Sequence, residues 1–199
     1  MPLAVKNSSE IDAQIEIVKE SARQAVEKLQ ELCGLAPMEF FWRVKFDPVG
    51  FHPLELRRIN IIEQINQIWT YLAALEASRI LLKNHPASGA MLLAPGAHFS
   101  QPLDIMSEDG KVGAEVFATV DPANNRKLKL DRAKLIGKTR DDLKLYIFFM
   151  SPRNPATDRL ADKGDGVEVW SLEKPPWLTV LASQIQPHGA GSGSGLSRC

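Results

Sequence analysis

The chain is short of cysteine, has no long apolar run, and carries no excess of charge of either sign. Cys33 and Cys199 are its two cysteines in 199 residues. They are too few and too far apart for a disulfide framework or a thiolate metal site, so a reduced, cytoplasmic setting is expected. No segment approaches the roughly eighteen uninterrupted apolar residues of a membrane helix. The opening "MPLAVKNSSEIDAQ" also lacks the apolar core of a signal peptide. A soluble chain without a membrane partner is expected. Lys and Arg together number 24, as do Asp and Glu, so a polyanion-binding surface has to be sought locally. His52, His85, His98 and His188 stand beside proline or in loops without metal-ligand spacing, which disfavours zinc or histidine-based hydrolysis. Walker, dinucleotide and G-x-S-x-G signatures are absent as well.

What is present is an ordered change of hydrophobic period. Ile11, Ile15, Val18, Ala22, Ala25, Leu29 and Leu32 recur at helical spacing, with Ser8 or Ser9 as cap and Gly34 as stop. The aromatic "LAPMEFFWRVKFDPVGFHP" is punctuated by Pro37, Pro48 and Pro53 and reads as an irregular or extended arm. From residue 54 to 84 there is neither proline nor glycine, and Ile62, Ile65, Trp69, Leu72 and Leu75 mark the core stripe of a long helix. The period then shortens to that of strands in "AMLLA", "LDIMS" and "VGAEVFATV", the last two joined by the turn sequence Glu108-Asp109-Gly110-Lys111. Asp121 as cap and Pro122 at the first position predict a helix running to Gly137. "LKLYIFFM" reads as a central strand buried on both faces, "GVEVWSL" as a further strand, and "WLTVLASQI" as either strand or helix. The expected class is therefore α/β, a mixed central sheet flanked by helices. A helical extension over 1–53 precedes a core over 54–186, and a Gly/Ser-rich tail over 187–199 follows it.

Two acids interrupt the apolar strands. With 108–111 as the turn, Ser107 faces Val112, and the same register sets Asp104 opposite Glu115. Opposed residues of an antiparallel pair hold their Cβ atoms about 4.5–5.5 Å apart on one face. Two carboxylates that close need a cation between them or a raised pKa on one. Mg²⁺ or Mn²⁺ suits such a donor set. The small and apolar neighbours Gly113, Ala114, Val116, Phe117 and Ala118 do not describe a solvated face. The bland alternative is that Asp104 ends a strand in solvent and Glu115 pairs with a base across the sheet.

The order helix, three strands, helix, strand, with "QPLD" ending at Asp104 and "AEVFA" around Glu115, resembles the PD-(D/E)XK nuclease superfamily over residues 54 to 150. The resemblance implies a restriction-endonuclease-like αβββαβ core. It also implies a divalent metal held by Asp104, Glu115 and the main-chain carbonyl of Val116, and hydrolysis of nucleic acid, most naturally DNA. Two positions depart from the pattern. Pro102 stands two residues before the acid rather than next to it, and Phe117 occupies the place of the motif lysine. Members that relocate this lysine carry it on the following helix, where Lys127 is the first candidate and Lys129 the second. Glu63 on the long helix is a candidate further acid, with Gln64 and Asn66 behind it.

Beside these acids the chain is strongly basic. Arg126, Lys127, Lys129, Arg132, Lys134, Lys138 and Arg140 face a single acid, Asp131, a patch able to bind phosphates. Arg57 and Arg58 make a second basic spot. The expected function is a metal-dependent nuclease of restriction or defence type, with self-association through the N-terminal helix or the aromatic arm. The alternative is a catalytically inactive module of the same fold that docks nucleic acid or protein.

Overall fold

The computed structural model describes residues 2–55, 57–95, 101–123, 126–138, 142–161 and 163–178. His98, Arg140, His188, most of 177–185 and the tail 187–199 lie outside the described residues. The elements in chain order are β1 (Leu3–Val5), α1 (Ser8–Leu32), α2 (Pro37–Phe46), β2 (Gly50–Phe51), β3 (Arg58–Ile59), α3 (Ile61–Asn84), β4 (Met91–Leu93), β5 (Ile105–Ser107), β6 (Val112–Ala118), α4 (Lys127–Ile136), β7 (Lys144–Met150), β8 (Asp158–Arg159) and β9 (Val167–Leu172). Seven strands form one mixed sheet in the order β1-β4-β5-β6-β7-β9-β8. β6, β7 and β9 run parallel, and the remaining pairings are antiparallel. The α/β class with a mixed central sheet is therefore observed.

Helices cover both faces of this sheet. On one side α3 lies against Met91, Ile105, Ala114, Val116 and Phe148, and α1 adds Ile11, Ile15 and Val18 to the same core. On the other side Leu135 of α4 packs with Leu103, Phe117, Ile147, Phe149 and Val169. Side chains alternate along β6, so Glu115 and Phe117 turn toward the α4 side while Ala114 and Val116 turn toward α3. β7 is buried from Leu145 through Met150, as a continuous apolar run between two helical layers requires.

Several elements differ from the sequence expectation, each for a local reason. The cap of α1 is Asn7, whose Oδ1 accepts from the Glu10 N–H at 2.9 Å while Glu10 reaches back to the Lys6 N–H; an amide at that position outcompetes Ser8 and Ser9. The aromatic arm contains the helix α2, because Pro37 sits at its first turn, where proline is tolerated, and nothing breaks the chain before Pro48. α3 begins at Ile61, since Asn60 caps it through the Glu63 N–H at 2.8 Å and Arg58–Ile59 pairs with β2. Its buried stripe is Ile61, Gln64, Ile68, Tyr71, Leu72 and Leu75, leaving Ile62, Ile65 and Trp69 over a third exposed. α4 starts at Lys127 because Asp121 spends its carboxylate on the Ala123 N–H in a local turn, and Arg126 enters the helix at φ 56°. β1, at the start of the N-terminal segment, completes the sheet by pairing with β4.

Candidate active site

The β5–β6 hairpin fixes the two acids. Its register sets Ile105 against Ala114 and Met106 against Gly113, and the next step of that register opposes Asp104 to Glu115. β5 begins only at Ile105, so beyond Ala114 β6 has no strand neighbour on that side among the described residues. Asp104 fills the vacated place with its side chain, its Oδ2 accepting the Val116 N–H at 2.9 Å. The direction of this bond also locates a carbonyl. Lys111 O accepts from Lys144 N–H, and Thr119 N–H donates to Met150 O, so the odd residues of β6 address β7. Val116 therefore turns both of its main-chain groups toward the Asp104 side, since the N–H and C=O of one strand residue point the same way. Asp104 and Glu115 thus lie beside each other at the start of β5, with the Val116 carbonyl directed to the same edge of β6.

The segment bearing Asp104 is tied down on three sides. Its carbonyl accepts from the Ala94 N–H at 2.9 Å, and the Gln101 amide bridges the Asp104 and Leu92 carbonyls at 3.1 and 2.9 Å. Lys138 Nζ donates to the Pro102 carbonyl at 2.7 Å. Gly113 admits Leu103 at close range: a Cβ on residue 113 would collide with Leu103 Cδ1.

Glu115 is only 3% exposed. Burial pushes its carboxyl up to about 7; the hydrogen bond and charge of Lys134 oppose the rise, while the charge and hydrogen bonding of Asp104 add to it. Lys134 Nζ is the cation in contact with Glu115 Oε1. Burial lowers the lysine's own pKa, but Glu115, Asp104 and Asp131 together hold it above the ordinary lysine value. Lys134 reaches the site because α4 aligns Lys127, Asp131 and Lys134 at spacings of four and three along one side.

The other expected residues divide. Lys127 pairs with the buried Asp131 at 2.8 Å and lies 5.6 Å from the centre of the Phe117 ring. Lys129 and Arg126 are exposed and make no ion pair among the described residues. Arg132 clasps Asp165 through two bonds, its Nη2 lying 2.6 Å from Oδ1. Arg57 pairs with Glu55 at 2.9 Å, and Arg58 lies 4.1 Å over the Phe51 ring. Much of the basic run is thus matched by Glu115, Asp131 and Asp165. Glu63 sits at the N-terminus of α3, where its charge bears on His52; no hydrogen bond joins it to Asp104 or Glu115 among the described residues. Gln64 is fully buried, its amide donating to Ser21 O and Oγ at 2.8 Å and its oxygen accepting from Phe51 N–H at 3.0 Å. It joins α1, α3 and β2. Phe117 stacks on Phe149 at 5.9 Å.

Among the described residues no group of three or more His, Cys, Asp or Glu converges. The oxygen donors that could hold an ion here are Asp104, Glu115 and the Val116 carbonyl. All three offer hard oxygen, which fits Mg²⁺ or Mn²⁺ better than zinc or copper. Burial is the main reason the Glu115 carboxyl is held up to about 7, with the neighbouring Asp104 adding to it and Lys134 opposing it. Comparison with known proteins finds no family model, no characterised relative and no solved structure that matches this chain.

Proposed function

We propose that the protein is a metal-dependent phosphodiesterase that cleaves nucleic acid, most naturally a DNA endonuclease of restriction or defence type. The observation that carries this reading is the placement of Asp104 beside the buried Glu115, with the Lys134 ammonium in contact with Glu115. The order α3-β4-β5-β6-α4-β7 is in keeping with the PD-(D/E)XK core suggested by the residues around Asp104 and Glu115.

Asp104, Glu115 and Val116 would hold Mg²⁺ or Mn²⁺. When bound, such an ion acidifies a coordinated water and offsets charge on the scissile phosphate. Glu115 must be ionised to serve, so deprotonation of its buried carboxyl precedes activity. Lys134, rather than Lys127 or Lys129, would act as the site's lysine: its ammonium donates to a non-bridging phosphate oxygen or orients the attacking water, stabilising charge that grows in the transition state. Lys127 holds Asp131, which keeps an anion behind Lys134. Arg126 and Lys129 offer exposed cations to the phosphate backbone, with Arg57 and Arg58 as a separate spot.

A second reading has its own observation. Phe117 is buried in the α4-side core and stacked on Phe149, and Lys134 already neutralises Glu115. A module of this fold that binds nucleic acid without cutting it would keep those features. Incubation of plasmid and single-stranded DNA with Mg²⁺ or Mn²⁺, using wild type, Asp104→Ala and Lys134→Ala, separates the two. Nicking by wild type that both substitutions abolish supports the enzyme. Binding without nicking, unchanged by Asp104→Ala, supports the module.

A further inference from the structure

α2 presents its largest side chains to solvent. Met38 is 80% exposed, Phe41 63%, Trp42 62% and Phe46 61%, whereas Val44 is its buried residue. At spacings of three and four they form one stripe, with the Trp42 and Phe46 rings 4.8 Å apart. Single exposed apolar residues are ordinary, but three exposed rings and a methionine on one side of a short helix, with Lys45 as the one charge among them, mark a surface for association.

The charges beside the stripe identify the occupant. Glu39 and Arg43 lie along the same flank, joined at 3.0 Å within the helix. If two copies of α2 pack antiparallel about a two-fold axis near Phe41 and Trp42, the Met38 end of one helix covers the Phe46 end of the other. Glu39 then lies beside Arg43 of the partner subunit, and symmetry makes that contact twice. A parallel pairing sends the two charged flanks to opposite sides, out of reach of each other. We infer that α2 is the contact of a two-fold homodimer, a conclusion independent of the acid pair. A ten-residue helix covers less than the roughly 800 Å² per partner of a standard interface, so the dimer forms reversibly with concentration.

Sedimentation equilibrium of the full chain from roughly 1 to 300 µM tests this. Wild type is expected to pass from monomer to dimer in that range, and Trp42→Glu to remain monomeric. Glu39→Arg and Arg43→Glu should each weaken association about tenfold. An equimolar mixture of those two variants should restore it, because the mixed pair regains both contacts. That rescue cannot arise from a misfolded variant. A monomeric wild type throughout, a dimer indifferent to Trp42→Glu, or a mixture no tighter than either variant alone would overturn the inference.

Discussion

At the residue scale, the chemistry turns on one buried carboxyl. Burial moves Glu115 from an ordinary value near 4.5 to about 7, Lys134 opposes the shift, and Asp104 reinforces it. Below pH 4.5 both the folded and the unfolded chain carry the proton, and Glu115 contributes no pH dependence. Between about 4.5 and 7 the unfolded chain ionises first, so this group lowers stability as pH rises. Glu115→Gln is expected to flatten that part of the stability profile relative to wild type; denaturant melts at several pH values would show it, and parallel profiles would contradict it. The difference matters because His52 and His85, both lowered by burial, act in the opposite sense and are common to both proteins. Lys134→Ala leaves Glu115 without its cation. With the lysine about half exposed, the expected loss is about 1–2 kcal/mol, and any cleavage should fall about 10²-fold or more. An unchanged nicking rate would remove Lys134 from the mechanism.

At the scale of elements, the hairpin and α4 have to be held in place for the acids and the lysine to meet. Gly113 lets Leu103 lie close over β6 immediately before Asp104. Gly113→Ala should displace Leu103, reduce stability by about 1–2 kcal/mol, and weaken cation binding by shifting Asp104. Equal stability and equal binding would show that the Leu103 packing does not position the acid. Arg132 and Asp165 anchor α4 to the turn before β9. Asp165→Ala is expected to lower stability by about 1–2 kcal/mol and to speed amide exchange in α4 more than in β7. Much of this scale was readable in the chain. The strand periods around "LDIMS" and "VGAEVFATV" and the turn at Gly110 set the register that opposes Asp104 to Glu115. The helix starts were less readable, because Asn7, Asn60 and Arg126 define them through side-chain and backbone geometry that spacing does not encode. α2 is not legible from periodicity because its aromatic residues face outward, whereas an apolar stripe ordinarily turns in.

At the scale of the whole molecule, the sheet brings together residues that the chain keeps apart. Lys134 is 19 residues from Glu115 and belongs to a basic run that suggested phosphate binding over its whole length. Only the packing of α4 on β7 and β9 shows which cation faces the acids and which are matched by Asp131 and Asp165. Glu63 illustrates the converse: an acid in the first turn of a long helix is explained by the cap at Asn60 and the field at His52. The described helices include none long and apolar enough to cross a membrane. The central claim is that Asp104 and Glu115 form a divalent-cation centre, and calorimetric titration of Mn²⁺ at roughly pH 6 and 8 tests it most directly. Wild type is expected to bind one ion, more tightly at the higher pH because Glu115 must lose its proton, and Asp104→Ala to bind none. Absence of binding by wild type at both pH values, or binding undiminished by Asp104→Ala, would contradict it.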